Sequence, residues 1–131
     1  MKTIDEKNCV KKAEEAIKRL KGKKDKWNGR PIPMVTTSKI RNLLAMSSDI
    51  YNNVIVLQDD KLDDELIGRI EYLRMRFVYE CGREPKVKDF VEEAQLLDIL
   101  CEIGDSKRNY ILFNRYMESL IAYHKYYGGR D

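Results

Sequence analysis

Apolar side chains recur every three or four residues along most of this chain, and this helical period is the feature that most restricts its fold. One such line runs through Leu66, Ile70, Leu73 and Phe77, which would share one face of a helix. No segment alternates apolar and polar residues long enough to predict a sheet, and residues 54–57 form the only β-like run. The sequence therefore predicts an all-α protein.

Gly, Pro and Asp residues divide the periodic sequence into five predicted helices. The expected helices cover residues 4–21, 38–57, 63–82, 86–103 and 106–127. Gly82 is expected to end the third helix, with Pro85 as the stop signal behind it. Helices joined by short connections predict a compact antiparallel bundle of about five helices.

The 131 residues predict one domain, in which residues 1–35 form a basic helix and linker and residues 36–131 form the bundle core. Residues 1–35 hold 11 Lys and Arg against 5 Asp and Glu, whereas the remainder holds 14 against 17. This asymmetry indicates contact with a polyanion, although a basic tail that only maintains solubility is the alternative. The first helix has a thin apolar stripe, so residues 1–30 are expected to be dispensable for folding but to help assembly or RNA affinity. Trp27 is expected to pin the linker onto the core, and stacking on a base is the alternative.

Basic residues recur every seven positions on one flank of the third predicted helix: Arg69, Arg76 and Arg83. Tyr72 and Tyr79 lie just beyond them. Guanidinium groups bind phosphates and stack on bases, and tyrosine rings offer further stacking surfaces, so the set suits RNA. In the alternative interpretation, the arginines cover the edge of the core and pair with glutamates such as Glu80.

Two further basic residues, Lys39 and Arg41, lie in the first turns of the second predicted helix, behind the capping hydroxyls of residues 36–38. Positive side chains oppose the helix dipole at this end, and a nearby anion would offset that penalty. Free backbone amides at the same end can also bind phosphate. The helix start therefore predicts a second contact with a polyanion.

The residues that could support catalysis are few, and no catalytic, metal or cofactor site is predicted. His124 lies on an apolar helix face, which is typical of a hydrogen-bonded core residue, and no local motif pairs it with a cysteine. The widely spaced Cys9, Cys81 and Cys101 are interpreted as reduced thiols of a cytoplasmic protein. The acids of residues 59–65 are interpreted as a loop and a helix start. No apolar run is long enough to span a membrane, so no membrane partner is expected.

Three long stretches of the chain resemble the Csm small subunit of type III-A CRISPR effector complexes. They read TTSKIRNLL at residues 36–44, RIEYLRMRFVYECGR at 69–83 and FNRYMESLIAYHKYYGGRD at 113–131. The resemblance implies a helical protein without catalytic activity, which stacks in several copies alongside the backbone subunits that hold the guide RNA.

The implied partners are target RNA and guide RNA, other Csm subunits and further copies of the chain itself. The family's RNA-facing basic positions carry over onto Lys39, Arg41, Arg69, Arg76, Arg83, Lys125 and Arg130. Because guide pairing reads the target sequence, the subunit is expected to contact the RNA backbone rather than the bases.

Three hypotheses follow from the sequence. The first is the structural RNA-binding subunit of a guide-directed complex, and the resemblance favours it. The second is a helical protein–protein interaction module, such as a homodimer, that binds no nucleic acid. The third is an enzyme that uses His124, which no local motif supports.

Overall fold

The computed structural model describes residues 1–131 and contains six α-helices and no strand. The helices are α1 (Cys9–Lys21), α2 (Thr37–Val54), α3 (Asp64–Arg83), α4 (Pro85–Glu93), α5 (Leu96–Glu102) and α6 (Lys107–Tyr126). The prediction of an all-α fold is confirmed, with six helices in place of about five. The β-like run at residues 54–57 follows directly from the last turn of α2.

Side-chain caps fix the starts of the three long helices. The Thr36 hydroxyl accepts from the Lys39 amide at 3.4 Å, and an Asp63 carboxylate oxygen accepts from the Leu66 amide at 2.9 Å. The Ser106 hydroxyl accepts from the Asn109 amide at 3.2 Å and starts α6. Each bond satisfies a backbone donor that has no partner within the helix. These starts lie within a residue of the predicted ones.

The prediction of one helix over residues 86–103 is wrong, because the chain breaks at Gln95 into α4 and α5. Gln95 is left-handed, with φ 56° and ψ 35°, and such a residue interrupts a right-handed helix. Because of the break, α5 buries residues other than those that a continuous helix would bury. Leu96 and Leu100 are fully buried, whereas Leu97 is half-buried and Cys101 is exposed. The apolar period runs through this region without a gap, so periodicity alone could not locate the break.

The predicted end of the third helix at Gly82 is also wrong. Gly82 lies inside α3, which continues to Arg83, and the extended residue Glu84 separates α3 from α4. Pro85 is the first residue of α4, a position where its missing N–H removes no helix hydrogen bond. Pro85 therefore starts a helix here.

Buried apolar residues from all six helices form one continuous core of 30 side chains. α6 lies at its centre and packs against α1, α2 and α5, while α3 packs against α2, α4 and α5. The apolar stripe of α1 is buried in this core, through Cys9, Ala13, Ala16, Ile17 and Leu20. Whether residues 1–30 are dispensable for folding remains a prediction, but the burial of α1 argues against it.

The expectation that Trp27 pins the linker to the core is wrong, because the Trp27 side chain is 96% exposed. The linker is instead closed on itself by an antiparallel bridge between Lys24 and Pro31, which directs residue 27 outward. Val35 anchors the end of the linker, with 2% of its surface exposed.

Candidate nucleic-acid interface

Lys39 lies at the start of α2 and faces the end of α3. Its Nζ is 3.9 Å from the Glu84 carboxylate, and 38% of its side chain remains exposed. A long, partly exposed ion pair of this kind contributes little to stability, about 0–1 kcal/mol. Lys39 can therefore exchange Glu84 for an external anion at small cost.

The three arginines on the flank of α3 have different environments. Arg69 and Arg76 are half-buried against α2 and have no acidic side chain in salt-bridge range. Arg83 is exposed, and its Nη1 is 3.5 Å from Glu80. The guanidinium of Arg83 also lies over the Tyr79 ring, 5.8 Å from its centroid. In the alternative interpretation, the pairing with Glu80 fits Arg83, and the covering of the core edge fits the half-buried Arg69 and Arg76.

A groove between α2 and α3 brings four of the predicted residues together. It consists of two adjoining hollows of about 470 and 410 Å³, and Met46 and Arg76 line both. The first hollow is otherwise lined by Asp49, Ile50, Glu65, Gly68, Arg69, Tyr72 and Leu73. The second is otherwise lined by Lys39, Asn42, Leu43, Glu80, Arg83 and Val87. We refer to this surface as the α2–α3 groove.

The two hollows differ in charge. In the first, two arginines face the carboxylates of Asp49 and Glu65, so the formal charges balance. In the second, the lining holds three basic side chains and the carboxylate of Glu80, and Glu84 beside it pairs with Lys39, so one positive charge remains unbalanced. The positive end of the groove therefore lies where the start of α2 meets the end of α3, and an anion is expected to bind there in preference to the first hollow.

Arg76 is the residue shared by both hollows, and its Nε is buried without a hydrogen-bond partner. An unpaired buried donor costs about 1–3 kcal/mol, so such groups usually meet an acceptor. The Nε of Arg74 is also unpartnered, but the Nη2 of Arg74 bonds Glu71 at 3.1 Å. No carboxylate pairs with Arg76, and because its Nε is itself buried, we expect a phosphate oxygen to contact this guanidinium through its two Nη groups.

The other three predicted residues form a separate cluster at the C-terminal end. Lys125 bonds Asp131 at 2.7 Å, and the Arg130 carbonyl accepts from the Thr37 amide at 2.7 Å. The hydrogen bond and charge of Lys125, with a smaller effect of Arg41, hold the pKa of the Asp131 carboxyl below its usual value. Arg41, Lys125 and Arg130 are all exposed beside this tail, and none lines the α2–α3 groove.

A buried histidine fixes the position of that tail. His124 is completely buried, its Nε2 donates to the Val35 carbonyl at 2.6 Å, and its Nδ1 lies 3.3 Å from the Thr37 hydroxyl. Burial lowers the pKa of His124, so the neutral ring is favoured. A Cβ atom on Gly129 would lie 2.1 Å from His124 Cε1, so only glycine fits against the ring. His124 is therefore the hydrogen-bonded core residue that its sequence position predicts.

Sequence reasoning missed the part of the groove that α2 contributes. Asn42, Met46 and Asp49 line it together with Lys39. Their spacing of three, four and three residues places them on one helix face, so the helical period contained the signal. Elsewhere, no three His, Cys, Asp or Glu side chains lie close enough to hold a metal ion. No helix is long and apolar enough to cross a membrane.

Comparison with known proteins identifies the family of the chain. A protein-family model described as Csm2 Type III-A matches residues 5–130. The CRISPR system Cms protein Csm2 of Streptococcus thermophilus is 44% identical over 131 residues, covering the whole of both chains. The Mycobacterium tuberculosis protein of that name is 39% identical over 112 residues, covering 86% of this chain and 88% of its own. The Enterococcus italicus protein is 33% identical over 123 residues, covering 92% and 87%. The chain belongs to the Csm2 family of type III-A CRISPR systems.

Proposed function

We propose that this small subunit of a type III-A CRISPR complex is non-catalytic and contacts the backbone of the paired guide and target RNA through the α2–α3 groove. Copies of the chain stack alongside the backbone subunits of the complex during antiviral defence. The observation that carries the proposal is the positive hollow lined by Lys39, Arg76 and Arg83, in which no carboxylate pairs with Arg76.

The chemistry of the groove suits phosphate rather than bases. Guanidinium and ammonium groups are donors only, and a guanidinium binds phosphate oxygens through two parallel hydrogen bonds. Bases that are paired with a guide direct their hydrogen-bonding edges toward each other, which leaves phosphates and 2′-hydroxyls accessible. Contacts with the backbone position a protein without reading sequence, as a subunit that must accept any target requires.

The environment of the single histidine supports the absence of nuclease activity. Both ring nitrogens of His124 are occupied, by Val35 and Thr37, and none of the ring is accessible to solvent. A general acid or base needs to reach the proton that it transfers. We therefore expect the isolated chain to cleave neither RNA nor DNA.

The outer face of α3 supports contact with protein partners. Four large apolar side chains are about half exposed along this helix: Tyr72, Met75, Val78 and Tyr79. Tyrosine and methionine are enriched at protein interfaces. This stripe also keeps the second candidate function open, a protein–protein interaction module without nucleic-acid contact. In the proposed function, the stripe meets other subunits or other copies of the chain.

Alanine variants of the groove in the assembled complex separate the two functions. For Lys39→Ala and Arg76→Ala, we expect weaker binding of target RNA without regard to its sequence, and a log–log salt slope reduced by roughly one unit each. Arg69→Ala is expected to have a smaller effect, because Asp49 and Glu65 already face that arginine. Arg41→Ala tests the cluster at the C-terminal end by the same two measurements, the affinity for target RNA and the salt slope.

Arg108→Ala is the matched control, because this exposed arginine pairs with Glu6 and lies outside both hollows. It should change neither the RNA affinity nor the salt slope. Thermal unfolding of each variant checks that the fold is retained. Unchanged affinity and slope in all four groove and tail variants would reject RNA contact through these two surfaces and favour the protein–protein module.

A further inference from the structure

The linker between α1 and α2 carries an ordered loop with an exposed tryptophan at its tip. The Trp27 side chain is 96% exposed, yet its neighbours are held by hydrogen bonds. An Asp25 carboxylate oxygen accepts from the amides of Trp27 at 2.8 Å and Asn28 at 3.2 Å. The Asn28 side chain accepts from the Arg30 amide at 2.8 Å. These hydrogen bonds therefore fix the backbone of the loop while its apolar tip is left exposed.

The backbone of the loop is closed just as firmly. The Asp25 amide donates to the Arg30 carbonyl at 2.8 Å, and the Gly29 amide donates to the Asp25 carbonyl at 2.9 Å. Gly29 has φ 67°, a conformation that glycine adopts at no steric cost. These bonds restrict the freedom of the tip before any ligand arrives, which lowers the entropy cost of binding.

The charges around the indole indicate what it would bind. Lys23 is engaged at the base of the loop, 3.3 Å from Glu93 and 3.9 Å from Asp89. The other three basic residues of the loop, Lys24, Lys26 and Arg30, form no ion pair. An apolar protein pocket that received the indole would also have to desolvate these cations, which is costly. A ligand with a flat aromatic face and negative charges avoids that cost.

We propose that this loop is a nucleotide-binding site, in which Trp27 stacks on an unpaired base of single-stranded RNA while Lys24, Lys26 and Arg30 contact the adjacent phosphates. A hollow of about 520 Å³ lies against the indole and is lined by Lys23, Lys24 and Lys26 together with Asp25 and Asp89. Asp25 is engaged by the amides of the loop and Asp89 lies near Lys23, so Lys24 and Lys26 are the charges left for a phosphate beside the stacked base. Stacking on an aromatic side chain accepts any base, because every base has a π-face.

The site is distinct from the α2–α3 groove, since no residue of the loop lines that groove. The inference rests on the proposed function only in that both take RNA as the ligand. The groove is proposed to bind phosphates of a paired strand, whereas the loop requires an unpaired base that can stack on Trp27.

The experiment uses the fact that Trp27 is the single tryptophan of the chain. Tryptophan emission of the full-length protein is followed while an unlabelled oligouridylate is added at low salt. Anisotropy of the same oligonucleotide carrying a dye reports total binding independently. We expect the emission to be quenched with the same midpoint as the anisotropy change. An abasic ribose-phosphate strand of equal length, which keeps the phosphates and lacks the bases, is expected to bind with little quenching.

Variants distinguish stacking from charge. Trp27→Ala should weaken binding of oligouridylate about fivefold or more, with an unchanged salt slope, and Trp27→Phe should recover part of that loss. Lys26→Ala should instead lower the salt slope by roughly one unit. Because Trp27 is almost fully exposed, none of these changes is expected to alter thermal unfolding.

The possible failures point to different conclusions. RNA binding without a change of tryptophan emission, together with full affinity of Trp27→Ala, overturns the loop site and leaves the groove proposal intact. Equal quenching by the abasic strand rejects stacking. Quenching by another subunit of the complex, but not by RNA, assigns the loop to a protein partner instead. Absence of any RNA binding by the full-length chain also overturns the loop site, while the variants in the assembled complex decide the groove separately.

Discussion

α3 and α6 are both 20 residues long and both carry tyrosines, yet α3 exposes its tyrosines whereas α6 buries those of its first half, and Tyr126 in the last turn of α6 is the exposed exception. In α6, the hydroxyl of Tyr110 donates to the Ser47 carbonyl at 2.6 Å, and that of Tyr116 donates to the Ala94 carbonyl at 2.9 Å. In α3, Tyr72 and Tyr79 are more than half exposed. Residue type therefore does not separate a structural tyrosine from a binding one, whereas burial with a polar partner does.

The same contrast applies to the polar groups of the two helices. α6 contains a buried Asn114, which accepts from the Ser47 hydroxyl at 3.0 Å and donates to Glu118 at 3.0 Å. α3 contains Arg76, whose buried Nε has no partner. A satisfied network specifies one packing of the core, while a guanidinium at a groove that no carboxylate pairs with can bind an external anion. Substitutions at the buried positions of α6 should accordingly change stability, and those at the groove and on the exposed side of α3 should change binding.

Removal of residues 1–30 is expected to have the largest effect, because it uncovers α6. α1 places five buried side chains in the core, and Ile4 ahead of it is 1% exposed. The N-terminal segment is also bonded to Glu102 through the amides of Lys2 at 3.0 Å and Thr3 at 2.7 Å. We expect the shortened chain to lose cooperative unfolding in far-ultraviolet circular dichroism. A shortened chain that unfolds cooperatively near the original temperature would restore the expectation of a dispensable leader.

Phe113→Ala tests the centre of α6 directly. Phe113 is completely buried and contacts the rings of Phe77 at 6.4 Å and Tyr110 at 5.8 Å between centroids. Loss of this side chain leaves a cavity, and the expected cost is about 3–5 kcal/mol in the free energy of unfolding. Denaturant titration measures it, and a cost below about 1 kcal/mol would contradict the packing described for α6.

Acid is expected to destabilise the folded chain at His124, the residue that holds the C-terminal tail. Burial lowers the pKa of His124 in the folded state below its ordinary value of 6.5, which the unfolded chain retains. The unfolded state therefore binds the proton more readily, so the contribution of neutral His124 to stability is complete above pH 6.5 and declines as pH falls below it. Lys125, the neighbouring cation, acts in the same direction.

The measurement is the unfolding temperature as pH decreases from neutral, compared between the natural chain and His124→Gln. Glutamine keeps a donor for the Val35 carbonyl and does not titrate in this range. The variant should lose part of the pH dependence just below 6.5, at some cost in stability at neutral pH. Identical pH profiles would show that His124 does not control the acid response.

The sequence predicted those parts of the molecule that depend on local chemistry. The starts of α2, α3 and α6 follow from capping residues, and the buried position of His124 follows from the helical period. It did not predict the break at Gln95, because the left-handed conformation of that residue is imposed by the packing of α4 and α5 and not by a glycine. It also did not predict that Trp27 faces outward, because an apolar residue in a linker can serve either the core or a ligand.

The groove was predictable only in part, for a similar reason. The seven-residue spacing of Arg69, Arg76 and Arg83 identified one helix flank. Only the fold brings Lys39 of α2 against that flank and leaves Arg41 outside the groove. The acids Asp49 and Glu65, which neutralise one half of it, come from two different helices and become neighbours only in the folded chain. Charge balance at a site is a property of tertiary packing.

The smallest effect on stability is expected for Tyr72→Ala, on the exposed side of α3. Tyr72 is 59% exposed, so its truncation removes little buried area and should change the free energy of unfolding by no more than about 0.5 kcal/mol. Tyr110→Phe in α6 is the matched comparison, because it removes only a hydroxyl but leaves the Ser47 carbonyl without that donor, at a cost of about 1 kcal/mol.

The order of these two effects is the informative result. Tyr72→Ala, which deletes a whole ring from α3, should cost less stability than Tyr110→Phe, which deletes a single oxygen from α6. The incorporation of Tyr72→Ala into the assembled complex should nevertheless be impaired. Denaturant titration of both variants and co-purification with tagged partner subunits provide the two measurements. If Tyr72→Ala destabilised the isolated chain more than Tyr110→Phe, the ring would contribute to folding, and the division between a structural α6 and a binding α3 would fail.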